Sequence, residues 1–246
     1  MPRLKLTVAY DGSAFAGWQS QAHGKTVQDE LERAVYRIAG VRVRIHGAGR
    51  TDAGVHALAQ CAHVDVPDRR LSPTQWTKAL NGVLPSTIRT LRARDVPPDF
   101  HARFSAKGKT YRYRIWAAPI LPPLELNRVW HIAAPLNREL LTAAGKKFVG
   151  RHDFAGFAAN PGKKKENTVR TIWTVDVKNR GPAISIEVSG DGFLYKMVRL
   201  MVGAMVQVGF EKEEVKKIAS DLRNGQASGV RLAAPGGGLY LMRVWY

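Results

Sequence analysis

Apolar and polar positions alternate with two different periods along the first hundred residues. Residues 4–9, 41–46, 58–66 and 88–96 show the alternation typical of half-buried strands. Between them, residues 26–39 and 73–83 carry apolar side chains at helical spacing. The order strand, helix, strand, strand, helix, strand is that of a ferredoxin-like domain, and we predict such a domain here.

The ends of the two predicted helices carry residues that start and stop helices. Thr26 can cap the first helix through its hydroxyl group, and Gly40 can end it. Ser72 followed by Pro73 is typical of a helix start. Capping residues and periodicity therefore predict the same two helices.

The second half of the chain follows a similar plan without repeating the sequence. We predict strands over residues 109–117, 128–132, 171–177, 184–188 and 239–245, and helices over residues 137–149, 194–206 and 211–223. Tyr111, Tyr113 and Ile115 share one face of the first of these strands. We therefore predict two α+β domains, residues 1–104 and 105–246, which meet near residues 97–105.

The net charge of the chain indicates what kind of partner it binds. The 246 residues include 38 Lys+Arg and 20 Asp+Glu, a formal net charge of +18. Such an excess favours a polyanionic partner, because each contact with a phosphate releases counterions. The chain has no apolar stretch of spanning length and no lipidation motif, so we expect no membrane association. Cys61 is the only cysteine, which excludes an internal disulfide and favours the reducing cytoplasm.

A glycine-rich stretch follows the predicted strand at residues 41–46. It has glycine at positions 47, 49 and 54, with Arg50 and Asp52 between them. Glycine allows tight turns and lets another molecule come close to the backbone. A single carboxylate beside a guanidinium in such a loop suggests a catalytic aspartate that a cation keeps ionised.

Three other interpretations compete for this stretch. A dinucleotide-binding turn would require glycine at position 52, where an aspartate would repel a pyrophosphate. A metal site built from Asp52, His56, Cys61 and His63 lacks a recognised ligand spacing. A plain surface turn stays open on these residues alone, because Gly and Asp are ordinary turn residues.

A second stretch, residues 101–114, is both basic and aromatic and contains no acidic residue. Cations for phosphates and ring faces for unstacked bases are what RNA recognition requires. We expect Phe104 and Tyr113 to lie in the core, whereas Tyr111 is the ring that we expect to contact RNA. We interpret the run Lys163–Lys165 as a solvated loop, with an RNA-backbone contact as the alternative.

The stretch Gly-Arg-Thr-Asp-Ala-Gly-Val-His-Ala at residues 49–57 resembles the signature loop of the TruA-type tRNA pseudouridine synthases. Other segments resemble further motifs of that family, in the same order and along nearly the whole chain. They are Tyr10-Asp11-Gly12, Phe100–Phe104, Lys109–Tyr113, His152–Phe154, Thr168–Arg170, Gly192–Arg199, Ala234-Pro235 and Gly238–Leu241. Several separate motifs in the right order form a stronger signal than any one of them.

The resemblance implies that the chain isomerises uridines at positions 38, 39 and 40 of the tRNA anticodon stem-loop to pseudouridine. It implies that Asp52 is the catalytic carboxylate, which attacks ribose C1′, attacks uracil C6 or assists a glycal route. It also implies that Arg50 fills the space of the flipped base, that Tyr111 stacks on the uracil and that Arg199 partners Asp52. The reaction involves no redox change and no net hydrolysis, so no metal or other cofactor is expected.

For the fold, the resemblance implies two ferredoxin-like domains whose antiparallel sheets join into one larger sheet with a central basic cleft. It also implies a homodimer. Two functional alternatives stay open. A non-catalytic tRNA-binding or tRNA-folding protein would show the same charge and rings, and a related synthase acting on other RNA positions would show the same Asp52 loop.

Overall fold

The computed structural model describes residues 1–22, 24–67, 70–159, 167–226 and 232–246, so the run Lys163–Lys165 lies outside the described residues. The chain forms two compact units, residues 1–107 with 240–246, and residues 108–239. Both units mix helices and strands, in agreement with the α+β prediction. The sequence placed residues 240–246 in the second domain, whereas they belong to the first unit, because the last strand pairs with a strand there.

The first unit contains the element order that periodicity predicted. Its elements are β1 (Arg3–Tyr10), α1 (Val27–Ala39), β2 (His46–Gly47), β3 (His56–Asp65), α2 (Pro73–Val83) and β4 (Ile88–Val96). β1 lies between β3 and β4 and is antiparallel to both. β2 pairs with β3 in antiparallel orientation, and β10 (Leu239–Trp245) runs parallel to the start of β3.

The strand predicted over residues 41–46 is mostly wrong. Only His46 and Gly47 pair with a neighbouring strand. The N–H group of Ile45 donates instead to a side-chain oxygen of Glu32 on α1, at 2.9 Å. The apolar alternation before His46 therefore belongs to a segment that is held by a helix side chain.

The predicted helix ends of the first unit are confirmed. Thr26 Oγ1 accepts a hydrogen bond from the N–H of Asp29 at 3.2 Å. Gly40 ends α1 in the left-handed region, with φ of 71°. Ser72 and Gln75 form a reciprocal capping box at the start of α2.

The two faces of β1 differ in character. Leu4, Leu6 and Val8 are buried in the core. Because successive residues of a strand point to opposite faces, Lys5 and Thr7 lie on the other face of the sheet. The first unit therefore has one apolar sheet face and one that carries polar side chains.

The second unit has four antiparallel strands side by side in the order β5, β9, β8, β7, with β6 parallel to β5 at its end. Its elements are β5 (Gly108–Trp116), β6 (Trp130–His131), α3 (Arg138–Lys146), β7 (Gly150–Asp153), β8 (Val169–Arg180), β9 (Ala183–Gly190), α4 (Met197–Gly209) and α5 (Val215–Asn224). Most residues of α4 are buried, and this helix forms much of the core. Among the helices of the described residues, none is long and apolar enough to cross a membrane.

Candidate active site

Asp52 lies in the loop between β2 and β3, in the first unit. It is half-buried, and its carbonyl oxygen accepts a hydrogen bond from the N–H of Val55 at 3.2 Å. Gly54 lies inside this turn in the left-handed region, with φ of 76°. The turn therefore fixes the backbone that carries the Asp52 carboxylate.

Three hydrogen bonds anchor the residues that lead into this turn. The hydroxyl groups of Tyr10 and Thr51 lie 2.8 Å apart, and both side chains are buried. The N–H of Trp18 donates to the carbonyl oxygen of Thr51 at 3.0 Å. The side-chain amide of Gln60 donates to the carbonyl oxygen of Gly49 at 2.9 Å. Burial also raises the pKa of Tyr10, so its hydroxyl group stays protonated at neutral pH.

Two glycines approach the loop so closely that a side chain would displace it. A Cβ atom on Gly17 would lie 2.5 Å from the carbonyl oxygen of Thr51, and φ at this glycine is 101°. A Cβ atom on Gly12 would overlap the carbonyl oxygen of Val55. Both positions therefore require glycine if the loop is to keep its place.

His56 joins the end of the loop to the Tyr10-Asp11-Gly12 motif. Its Nδ1 accepts a hydrogen bond from the N–H of Gly12 at 3.1 Å and lies 3.3 Å from an Asp11 carboxylate oxygen. Its ring stacks on Tyr240 of β10, with 4.6 Å between the ring centroids. His56 is therefore a positioning residue for the loop.

The metal-site interpretation finds no support in this arrangement. The Nδ1 atom of His56 already accepts the Gly12 N–H, and burial raises the pKa of the Cys61 thiol. Throughout residues 1–22, 24–67, 70–159, 167–226 and 232–246, no group of three His, Cys, Asp or Glu side chains is placed to hold a metal ion.

Arg50 is exposed and oriented by side chains from two other segments. Its Nε donates to the side-chain oxygen of Gln19 at 3.2 Å. Gln19 in turn donates through Nε2 to the side-chain oxygen of Gln28 on α1, at 2.8 Å. The guanidinium is thus both positioned and accessible to a nucleic acid.

Tyr111 belongs to the second unit, where it lies buried on β5. Its ring meets Phe193 edge-on, with 5.0 Å between the ring centroids. Aromatic pairs prefer this geometry, so Phe193 helps to fix the plane of the Tyr111 ring.

Arg199, in the first turn of α4, also belongs to the second unit. Its Nε donates to the carbonyl oxygen of Ala234 at 2.7 Å, and its own carbonyl oxygen accepts from the N–H of Ala234 at 3.0 Å. The structure thus places Asp52 and Arg50 in the first unit, and Tyr111 and Arg199 in the second. Their joint action in one site stays a prediction.

The two aromatic residues that were expected in the core behave differently. Tyr113 is fully buried on β5, as predicted, and its hydroxyl group donates to the carbonyl oxygen of Pro235 at 2.8 Å. The prediction for Phe104 is wrong, because this side chain is 76% exposed. It precedes β5, so the inward alternation of that strand does not extend to it.

Sequence reasoning missed the residues that hold the Asp52 loop in place. Tyr10 and His56 lie in the motifs quoted above, and Trp18 follows eight residues after Tyr10, but nothing in their spacing shows which loop atoms they bind. Gln60 lies inside β3, and a polar side chain fully buried in a strand needs a partner. That burial is visible only in the folded chain.

Comparison with known proteins gives the family. A family model described as tRNA pseudouridine synthase matches residues 6–105 and 144–246. The chain belongs to the tRNA pseudouridine synthase family. It is 45% identical to tRNA pseudouridine synthase A of Methylacidiphilum infernorum, over 98% of this chain and 94% of that protein. It is 47% identical to the protein of the same name from Akkermansia muciniphila, over 100% of this chain and 96% of that protein.

The alignment with a more distant relative spans the whole length of both sequences. The tRNA pseudouridine synthase A of Acetivibrio thermocellus is 38% identical over 100% of each chain. The chain is therefore an enzyme, a tRNA pseudouridine synthase that isomerises uridine in tRNA. The non-catalytic alternative is set aside. The residues matched by the family model include Asp52, Arg50 and Arg199, whereas Tyr111 falls between the two matched segments.

Proposed function

We propose that Asp52 is the catalytic nucleophile of this tRNA pseudouridine synthase and that it acts on uridines 38, 39 and 40 of the anticodon stem-loop. The observation that carries the proposal is the anchored turn, in which a half-buried carboxylate lies on a backbone held by Tyr10, Trp18 and Val55. Nucleophilic catalysis requires that the side chain which attacks the substrate is held rigidly in position. The anticodon target rests on the family resemblance.

The reaction breaks the bond between ribose C1′ and uracil N1, turns the base, and forms a bond from C1′ to uracil C5. C5 loses its proton and N1 gains one, so the product is an isomer of the substrate. A carboxylate can attack C1′, attack C6 of the base or assist elimination to a glycal, and in each route it must be ionised. A guanidinium close to a carboxylate favours the ionised form, which is the role that we propose for Arg199. The target base must first leave its stack, because a paired base is out of reach.

Two further side chains have proposed roles in binding the flipped nucleotide. Arg50 fills the space that the base vacates, which is supported by its exposure and by its hydrogen bond to Gln19. Tyr111 stacks on the uracil, and its contact with Phe193 supports a fixed ring plane. No step of this proposal draws on a metal or another cofactor.

The wider architecture follows from the same family resemblance. We infer two ferredoxin-like domains, the first carrying the Asp52 loop and the second carrying Tyr111 and Arg199, whose sheets join around a basic cleft. A homodimer and a cytoplasmic location are further inferences, the second from the single cysteine. A synthase that acts on other RNA positions is the alternative for the substrate.

The decisive experiment replaces Asp52 with Asn and maps pseudouridine site by site in unmodified tRNA. We expect product formation to fall by roughly 10⁴-fold or more, because the amide cannot serve as the nucleophile, while tRNA binding is kept. Asp95→Asn, which changes an exposed carboxylate of β4, is the control and should keep full activity. Sustained turnover by Asp52→Asn would refute the assignment, and product outside positions 38–40 would refute the proposed target.

A further inference from the structure

The polar face of the first unit's sheet holds a pocket of about 240 Å³. Its lining contains four cations and no carboxylate, the cations being Lys5, Arg92, Arg94 and Arg243. Strand register explains the grouping, because Lys5 lies opposite Arg94 across β1 and β4, and Thr7 lies opposite Arg92. β10 supplies the fourth cation. The fold therefore collects like charges in one concave site.

Lys5 is the unusual member of this set, because its side chain is only 7% exposed. Its Nζ lies 3.4 Å from the centroid of the Tyr246 ring and 5.0 Å from that of Phe100. In the described part of the chain, Lys5 forms no ion pair with a carboxylate. Burial also lowers its pKa. Aromatic faces compensate a buried ammonium only in part, so the site favours an incoming anion.

The arginines provide the geometry for such an anion. Arg92 and Arg94 are exposed, and within the described residues neither forms an ion pair. The guanidinium of Arg243 stacks on Trp245 at 3.7 Å, which limits its orientations. Guanidinium groups bind phosphate oxygens through paired N–H donors. The four cations of the pocket also repel one another, and a bound anion would reduce that repulsion.

We propose that this pocket, defined by Lys5, Arg92, Arg94 and Arg243, binds a phosphate group of the tRNA backbone. The exposed arginines leave the pocket open to a phosphate within a polymer, and the net charge of +18 favours a polyanion. Lys5 lies five residues before Tyr10 on β1, about 16 Å along the strand, so this contact anchors tRNA away from the Asp52 loop. The inference rests on the tRNA substrate stated above.

The test measures the affinity of the Arg92→Gln/Arg94→Gln protein for unmodified tRNA by fluorescence anisotropy at several salt concentrations. We expect weaker binding, and a plot of log Kd against log salt whose slope falls by roughly 1 for each phosphate that the variant no longer neutralises. Arg33→Gln/Arg37→Gln is the control for the loss of net charge, because it removes two exposed positive charges from α1, outside the pocket. The control should keep both the wild-type slope and wild-type turnover.

Lys5→Met tests the buried cation separately. Methionine keeps the apolar stem and removes the charge, so tRNA binding should weaken while thermal stability is kept or rises. If Lys5 were only structural, this variant would bind tRNA as the wild type does, which would count against the proposal.

Two results would overturn the proposal. The first is a Kd and a salt slope for the pocket variant equal to those of the α1 control. The second is a poly-glutamate probe whose binding falls in the pocket variant while tRNA binding does not, which would make an acidic polypeptide the occupant. An active Asp52→Asn protein would refute the nucleophile and leave this binding result unaffected, so the two proposals fail separately.

Discussion

Gly17 lies against the backbone of the Asp52 loop without room for a methyl group. In Gly17→Ala, the new Cβ would push the carbonyl group of Thr51 away, and the carboxylate of Asp52 would move with it. A displacement of about 1 Å can lower a rate by roughly 10²-fold, so we expect a loss of turnover of that order with little change in tRNA affinity. Single-turnover pseudouridine formation is the measurement.

Gly40→Ala is the control for this substitution. Gly40 also has a positive φ, 71°, but a Cβ atom there would meet nothing within 4 Å. Both variants carry backbone strain, and only Gly17→Ala should lose activity. Equal activity in two folded variants would show that the position of the loop is not limiting.

At the residue scale, the sequence identifies candidate functional residues better than it predicts which atoms those residues contact. Asp52 is recognisable because it is the one carboxylate in a glycine-rich loop. The bond between Tyr10 and Thr51 is not, because the two residues are 41 positions apart and meet only in the folded unit. For Phe104 the sequence suggested burial in the core, and the side chain is exposed. An aromatic side chain alone does not determine burial.

At the element scale, the start of α1 connects directly to the segment that anchors the loop. The N–H groups of Val27 and Gln28 donate to the carbonyl oxygens of Gly17 and Trp18, at 3.2 and 3.1 Å. Thr26 caps the same turn. A change at the helix cap is therefore transmitted to residues that hold Thr51.

Thr26→Val should lower stability and activity together. Valine keeps the volume of this buried side chain and removes the capping hydroxyl, which we expect to cost roughly 0.5–2 kcal/mol in the free energy of unfolding. Asn137→Ala removes the corresponding cap of α3 in the second unit, where the side chain accepts from the N–H of Leu140. Urea unfolding should show similar losses in both variants, and pseudouridine assays should show reduced turnover only for Thr26→Val. Reduced turnover in both would contradict this account.

The helices show why elements whose ends carry capping residues can be predicted from the sequence. Thr26, Gly40 and Ser72 are chemical markers that act within a few residues, and the structure confirms each of them. β7 has no such marker, since Gly-Arg-His-Asp lacks apolar alternation and becomes a strand only by pairing with β8. Short strands that depend on a partner cannot be predicted from local pattern.

At the scale of the whole molecule, a cluster of three histidines makes the first unit sensitive to pH. His63 is 3% exposed, and its ring stacks on His46 at 4.9 Å and meets His101 edge-on at 4.6 Å. Arg3 and Asp65 are the other charged groups that act on His63. Burial, assisted by the neighbouring His101, lowers the pKa of His63 to about 4.

Acidification should therefore destabilise the protein. Between pH 6.5 and pH 4 the unfolded chain binds a proton at His63 that the folded chain does not, so stability is full above pH 6.5 and falls as the pH is lowered towards 4. From pH 7 to pH 5 we expect His63 to account for a loss of about 1–2 kcal/mol in the free energy of unfolding.

Denaturant titrations at each pH would measure this loss. His63→Asn, which keeps an acceptor for the N–H of Ala102, should flatten the dependence. His152→Gln in the second unit should retain it. An unchanged pH dependence in His63→Asn would assign the effect to other groups.

Most of β10 follows residues 108–239 in the chain but belongs to the first unit. During synthesis the first unit is therefore completed after the second. Residues 240–246 extend the sheet next to β3, and the Tyr246 hydroxyl group donates to the carbonyl oxygen of Ala102 at 2.6 Å. The ribosome therefore finishes the unit that carries Asp52 only after it has synthesised the whole of residues 108–239. A nascent chain that stalls in that interval leaves the start of β3 without its β10 partner and Lys5 without the Tyr246 ring, so we expect truncated products to be inactive on tRNA.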